Sequence, residues 1–277
     1  MLAPTSPSRR DAFAPGDLCV LIDRRDRRYV LTLVPGEKFH GTYGWIDCDA
    51  LIGAPPGLRA RTSKGDTMAA YRPTLEEYVL LMPRAAQIVT PKDLAFIPYW
   101  ADVFPGATVV EAGAGSGALT LALLRAVGAH GRVIAFELRE EFANRARKNI
   151  EGWSDGLASR VDLRVGDVNG ELAALTQVDR VVLDLPEPWQ TVPAAAQALV
   201  PGGIMLAYLP NTRQVDRLAI AFLDHPSFAP PEVCEALVRP WVADRERLRP
   251  SLRMVSHSGF LVRARRRPAR EPVREDP

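Results

Sequence analysis

Apolar and polar positions follow two rhythms along this chain, and the change of rhythm divides it. Up to about Tyr71, short apolar runs are cut by turn residues. Leu18 to Ile22 and Tyr29 to Leu33 flank a charged stretch, Asp23 to Arg28, and Pro35-Gly36 closes the second run. Two β-forming runs either side of a polar reversal predict a hairpin, and the same style continues. A small all-β N-terminal domain is therefore expected over residues 1–73. Residues 1–13, rich in Pro, Ser and Arg, are expected to be disordered.

From Arg72 onward the pattern turns helical and then alternates. Thr74 followed by Glu77 forms a capping box that opens a helix through Leu81, stopped by Met82-Pro83. Thr90 as N-cap and Pro91 at the first helical position open another, expected to run to about Val103 with a kink or break at Pro98. Strands are expected from Thr108 and at 132–137, 160–165, 179–184 and 203–208. Helices are expected from Ala118 and at 139–151, 189–199 and 212–224. That alternation predicts an α/β domain, residues 74–265, with a mostly parallel sheet and helices on both faces. Val233 to Val242 and Gly259 to Arg265 have no helix between them and predict an antiparallel pair at a sheet edge. Residues 266–277 read as a disordered basic tail.

Candidate chemistry gathers at the expected strand tips. Glu111-Ala112-Gly113-Ala114-Gly115-Ser116-Gly117 lies between the first strand and its helix, where glycines admit a ligand that a Cβ would block. Gly113, Gly115 and Ala118 also satisfy the dinucleotide pattern G-x-G-x-x-G/A, so NAD stays open at this point. Glu137 ends the second strand and can accept hydrogen bonds from ribose hydroxyls, or cap the next helix. Asp167 follows the third strand as an acceptor for an exocyclic amino group, or as a turn residue. Asp184-Leu185-Pro186-Glu187-Pro188-Trp189 ends the fourth strand on an acid. Two prolines then build a rigid wall, outside regular structure, that suits a flat nitrogenous base beside a methyl donor. Trp189 reads as a packing residue.

Composition narrows this little. A net charge of +2 demands no polyanion, although Arg263, Arg265, Arg266, Arg267, Arg270 and Arg274 crowd the C-terminus. Cys19, Cys48 and Cys234 and the four scattered histidines suggest neither a disulfide framework nor a metal site. No membrane span or signal peptide is apparent, so a cytoplasmic location is expected.

The chain resembles the bacterial tRNA (adenine-N1)-methyltransferases that use S-adenosylmethionine to modify adenine 58 of the T-loop. Matching pieces are Arg72 to Tyr78, Pro91-Lys92-Asp93, Glu111 to Gly117, Asp184 to Trp189, Tyr208-Leu209-Pro210-Asn211 and His257-Ser258-Gly259-Phe260-Leu261. The resemblance implies a Rossmann-like class I methyltransferase sheet and a homotetramer that binds tRNA. It further implies a cofactor pocket of Gly113, Gly115, Ser116, Gly117, Ala118, Leu119, Glu137, Phe142, Asp167 and Asp184, with Asp184 also the catalytic residue. Arg72, Lys92, Arg253 and the arginine tail are candidate phosphate contacts. Where the family has Tyr before Pro-Lys-Asp, this chain has Thr90, which reads as a helix cap. A methyltransferase with another substrate and a non-catalytic RNA-binding subunit are the competing readings.

Overall fold

The computed structural model describes residues 11–153 and 156–268, which fall into two compact units: residues 1–83 with 151–156, and 84–150 with 157–277. Residues 1–10 of the N-terminal Pro/Ser/Arg stretch, and Arg270 and Arg274, lie outside the described residues.

In the first unit the hairpin forms as the turn chemistry dictates. It comprises β1 (Leu18–Ile22), β2 (Arg28–Thr32), β3 (Lys38–Gly41), β4 (Gly44–Asp47), β5 (Leu58–Arg61), β6 (Thr67–Tyr71) and α1 (Leu75–Leu81). Strands β2-β1-β6-β5 make an antiparallel sheet, and β3 pairs with β4 separately. The inward residues Cys19, Leu21, Leu33, Ile46, Met68 and Ala70 form one core. Phe13 corrects the expectation of disorder through residue 13. Its ring is buried in that core, its N–H donates to the Ala54 carbonyl, and its own carbonyl accepts from Gly53. Burial of so large an aromatic outweighs the entropy of ordering the strand that carries it. The Thr74 capping box is present, with Thr74 Oγ1 accepting from the Glu77 N–H and Glu77 accepting from the Thr74 N–H.

The second unit begins with α2 (Pro91–Trp100) and β7 (Thr108–Ala112), then alternates through α3 (Ala118–Val127), β8 (Arg132–Glu137), α4 (Glu140–Trp153), β9 (Val161–Val165), α5 (Val168–Glu171), β10 (Val178–Leu183), α6 (Val192–Ala198), β11 (Leu199–Leu209) and α7 (Thr212–Asp224). Four strands close it: β12 (Glu232–Cys234), β13 (Trp241–Ala243), β14 (Leu248–Pro250) and β15 (Phe260–Arg265). The seven-stranded sheet runs β12-β15-β11-β10-β7-β8-β9, parallel from β11 to β9 and antiparallel at β15 and β12. β7 therefore lies centrally, and chain order reverses between β7 and β10. In open α/β sheets the crevice for a ligand forms outside the strand ends at such a reversal.

Three expectations need correction. The run from Val233 to Val242 is not one strand: β12 stops at Cys234, and β13 pairs instead with β14 around an Asp244 turn. Pro240 interrupts the run, because it has no N–H to give a ladder. The basic tail does not start at 266: Arg266 donates its N–H to the Gly203 carbonyl, and Arg267 donates to Ser227. Finally, Pro188 and Trp189 are not outside regular structure. They open a 3-10 turn, Pro188–Thr191, where proline's missing donor costs nothing.

α2 ends at Trp100, before the expected Val103, for a tertiary reason. Arg180, buried on β10, donates to the carbonyls of Ala101 and Asp102 and to the Asp102 carboxylate, and lies against the Phe104 ring. These bonds hold the chain in a turn, with Asp102 at φ +53°. Arg180→Ala leaves the buried Ala101 carbonyl without its partner and is expected to lower the unfolding free energy by roughly 3 kcal/mol, read from urea denaturation.

Candidate active site

The strand tips of the second unit enclose a cavity of about 430 Å³. It is lined by residues at the ends of four parallel strands, among them Gly113, Glu137, Asp167 and Asp184. Gly113 has φ +89°, and a Cβ there would stand 2.2 Å from the Asp184 carbonyl oxygen. Only glycine lets the β7 turn pass this close to the end of β10. Asp184 N–H donates to the Ala112 carbonyl, so the two strand ends are tied together where the cavity opens.

Asp184 itself has no hydrogen-bond partner for its carboxylate among the described residues. Burial, and secondarily the nearby Glu137 charge, raise its pKa to about 6. Glu137 is held differently. One oxygen accepts from the Gly115 N–H at 2.9 Å and the other from the Arg139 N–H at 3.0 Å. Both oxygens are thus engaged by backbone donors, and each keeps a lone pair for a further donor. Asp167 caps α5 through Oδ1, accepting from the Asn169 N–H, and also lines the cavity.

Beneath the glycine turn lies Glu111, fully buried, with no hydrogen bond to either carboxylate oxygen. Burial raises its pKa to about 8, Thr120 draws it partly back, and the Asp184 and Glu137 charges push it further up. Burial thus favours the neutral form of Glu111, which is the tolerable form of an unpaired carboxyl in an apolar interior.

The side chains of the remaining expected pocket residues do not line this cavity. Ser116 is buried, and its hydroxyl accepts from the N–H groups of Ala85 and Ala86. Gly117 packs on Ala146 and Ile150 of α4, and Ala118 and Leu119 are buried at the start of α3. Phe142 is half-buried under the Arg139 guanidinium, 3.4 Å from its ring centroid. Residues that sequence reasoning missed include Leu138, Arg139, Asn169 and Gln190, all on the cavity wall. Leu138 is 72% exposed beside it, an apolar surface suited to a flat ligand. Its signal was positional: it directly follows a strand tip.

A second cluster lies in the same unit. Asp93, fully buried, accepts from Thr90 Oγ1 at 2.7 Å, from Lys92 Nζ and from Ser258 Oγ. Lys92 also donates to Ala236 O and is 9% exposed at its side chain. Thr90 therefore occupies the N-cap position without capping: its hydroxyl goes to Asp93. Tyr208 donates to the Ser258 carbonyl, and its ring lies where a Cβ on Gly259 would fall, 2.4 Å away. His257 bridges Glu235 and Pro210 O, and the Glu235 hydrogen bond raises its pKa. The His-Ser-Gly-Phe motif thus fastens the return from β14 into β15. Lys92 is engaged in this network, Arg72 is paired with Asp17, and Arg263 and Arg266 bond Trp100 O and Ala196 O; none of the four is a loose surface cation. Arg253 is exposed.

Known proteins resemble this chain in both sequence and fold. The model of a family described as "tRNA methyltransferase complex GCD14 subunit" matches residues 68–260, and one for a TrmI-like N-terminal domain matches 12–58. The tRNA (adenine(58)-N(1))-methyltransferase TrmI of Thermus thermophilus is 38% identical over 91% of this chain and 97% of its own. A tRNA (adenine(57)-N(1)/adenine(58)-N(1))-methyltransferase TrmI of Methanocaldococcus jannaschii is 34% identical over 89% of this chain and 94% of its own. Among solved structures, a SAM-dependent O-methyltransferase from Thermotoga maritima superposes with TM-score 0.88 at 36% identity, covering 95% of this chain and 97% of that one. The tRNA (m1A58) methyltransferase TrmI of Aquifex aeolicus gives 0.77 at 29%, covering 92% and 99%.

Gly113→Ala is expected to force apart the ends of β7 and β10. Isothermal titration should then show cofactor affinity reduced at least about 100-fold, while Gly106→Ala, which costs stability through its φ of +94° but has open space around it, leaves that affinity intact.

Proposed function

The chain belongs to the TrmI-like tRNA (adenine-N1)-methyltransferase family, and from that membership we propose that it methylates N1 of adenine 58 in the tRNA T-loop. The observation that carries the reading is the unpaired Asp184 carboxylate at the cavity wall, beside the glycine turn. The cavity volume, the Cβ-free approach at Gly113 and the acceptor set of Glu137 and Asp167 fit a nucleoside cofactor. Glu137 and Asp167 would hold its ribose and adenine, with Leu138 against the ring; Gly113, Gly115 and the start of α3 would receive its amino-acid end. When bound, S-adenosylmethionine supplies an electrophilic methyl group on a sulfonium centre.

Adenine N1 already bears a lone pair, so no residue need remove a proton before transfer. What the chain must supply is orientation and charge. The Asp184 carboxylate accepts from the adenine amino group, aligns N1, and offsets the positive charge that the ring acquires. Since N1 lies on the pairing edge, the base must leave its stack to reach the cavity.

We carry the homotetramer and the cytoplasmic location over from the family. Trp241, Leu248, Leu252 and Val255, on and beside the β13–β14 hairpin, are 56%, 72%, 93% and 60% exposed, an apolar surface that association would cover. Among the described residues no helix is long and apolar enough to cross a membrane, and no metal-binding group occurs.

Mass-spectrometric mapping of tRNA incubated with the protein and donor tests the reading: N1-methyladenosine at position 58 is expected. A methyl group found on a hydroxyl would favour the activity for which the Thermotoga structure is described. For free enzyme, kcat/KM should rise with pH through about 6 and level off, because the ionised form of Asp184 is the working one and burial raises its pKa. Asp184→Asn should flatten that profile and lower kcat by about 100-fold or more, with tRNA affinity nearly kept. Light scattering should give the mass of four 30.4 kDa chains, and Leu248→Arg/Leu252→Arg should give a smaller species.

A further inference from the structure

The first unit presents a basic and aromatic face that the chemistry above does not use. Its centre is the turn Asp23-Arg24-Arg25-Asp26-Arg27-Arg28 between β1 and β2. Asp23 is buried and accepts four bonds, from the N–H groups of Arg25 and Arg27, from Arg27 Nε and from the Tyr29 hydroxyl. The turn is therefore held in one shape, with Arg24, Arg25 and Arg28 exposed on it and Arg27 tied to Asp23. Arg24 and Arg27 lie over the Tyr43 ring, at 4.4 and 5.2 Å from its centroid. Along the same edge Lys38 Nζ lies 4.0 Å from the Trp45 ring centroid.

The register of β3 and β4 puts Lys38 and Trp45 on one face of their hairpin. Lys38 is opposite Asp47 and His40 opposite Trp45, while Phe39 and Ile46 point to the other side, into the core. The hairpin tip is pinned to the Thr62–Gly65 turn by Thr62 Oγ1 donating to Tyr43 O, and by Ser63 Oγ accepting from the Trp45 N–H. That turn carries Lys64, which is exposed. Two carboxylates pair loosely here: Asp66 with Arg24 at 3.5 Å and Asp47 with Lys38 at 3.8 Å, both longer than a charge-assisted hydrogen bond. Arg24 stays 60% and Lys38 44% exposed at the side chain.

Surface pairs of this kind stabilise a fold little, so stability does not account for the arrangement. Cations seated on ring faces lose little mobility on meeting a ligand and keep N–H edges for phosphate oxygens. We propose that this face of the N-terminal unit, built on Arg24, Tyr43, Trp45, Lys38 and Lys64, is a second tRNA contact, made to the phosphate backbone. The inference rests on tRNA being the substrate. Phosphate contacts at Arg24, Lys38 and Lys64 set affinity and its salt dependence, not the rate of methyl transfer.

The test uses the full chain with unmodified tRNA and the triple variant Arg24→Gln/Lys38→Gln/Lys64→Gln. All three side chains are exposed, and circular dichroism checks the fold. Fluorescence anisotropy across a KCl series should show Kd raised about tenfold or more at 0.1 M salt. The slope of log affinity against log salt should fall by about 2 to 3. kcat at saturating tRNA and cofactor affinity should stay within about twofold. The charge-preserving variant Arg24→Lys/Lys38→Arg/Lys64→Arg should bind like wild type. A triple variant that matches wild type in affinity and slope overturns the proposal and leaves the methyltransferase reading standing; so does a loss confined to kcat. If the wild-type protein neither binds nor methylates tRNA, both fall together.

Discussion

The close approach of two backbones holds the site together. The turn after β7 lies so near the end of β10 that no side chain fits between them, and one N–H to carbonyl bond from Asp184 to Ala112 fixes the distance. Because chain order reverses between these strands, no crossover helix covers their shared end. The cavity, the exposed side of the glycine turn and the free Asp184 carboxylate all follow from that contact. Move Asp184 outward by the thickness of a methyl group and each is lost.

Electrostatics then divides three acids among three states. Glu111, enclosed and unpaired, is driven toward its neutral form by burial. Glu137 is anchored by two backbone donors and so stays in place as an acceptor. Asp184 has neither anchor nor partner, and partial burial leaves its ionisation sensitive to what enters the cavity. A neutral Glu111 spares its two neighbours a further like charge close by. The same low-dielectric setting that makes a lone carboxylate costly makes it effective against developing positive charge.

Outside the cavity, buried polar groups place elements that apolar packing alone would leave loose. Arg180 ends α2, and the Asp93–Lys92–Ser258 cluster ties α2 to the segment returning from the apolar hairpin. In the first unit Asp23 does the equivalent for a basic turn. In each case one buried charge is satisfied by several donors or acceptors, and such a network permits few alternative geometries.

Periodicity and punctuation determined most of the architecture, because each is a local property. The β1–β2 hairpin, the Thr74 capping box, the parallel alternation and the antiparallel edge were all legible, since turn residues, caps and apolar spacing act within a few positions. So were the strand-tip acids, because an acid ending an apolar run has few other uses. What sequence could not supply depended on partners far along the chain. Phe13 is ordered by a core assembled from residues up to Ala70, and α2 stops at Trp100 because Arg180 captures the carbonyls of Ala101 and Asp102 just beyond it. Thr90 gives its hydroxyl to Asp93 instead of capping. Ser116, Ala118 and Leu119 bury their side chains, since only the folded sheet decides which side of a turn faces the core. Spacing along the chain determined which groups reach the strand tips; long-range packing decided which of them are buried, paired or left free.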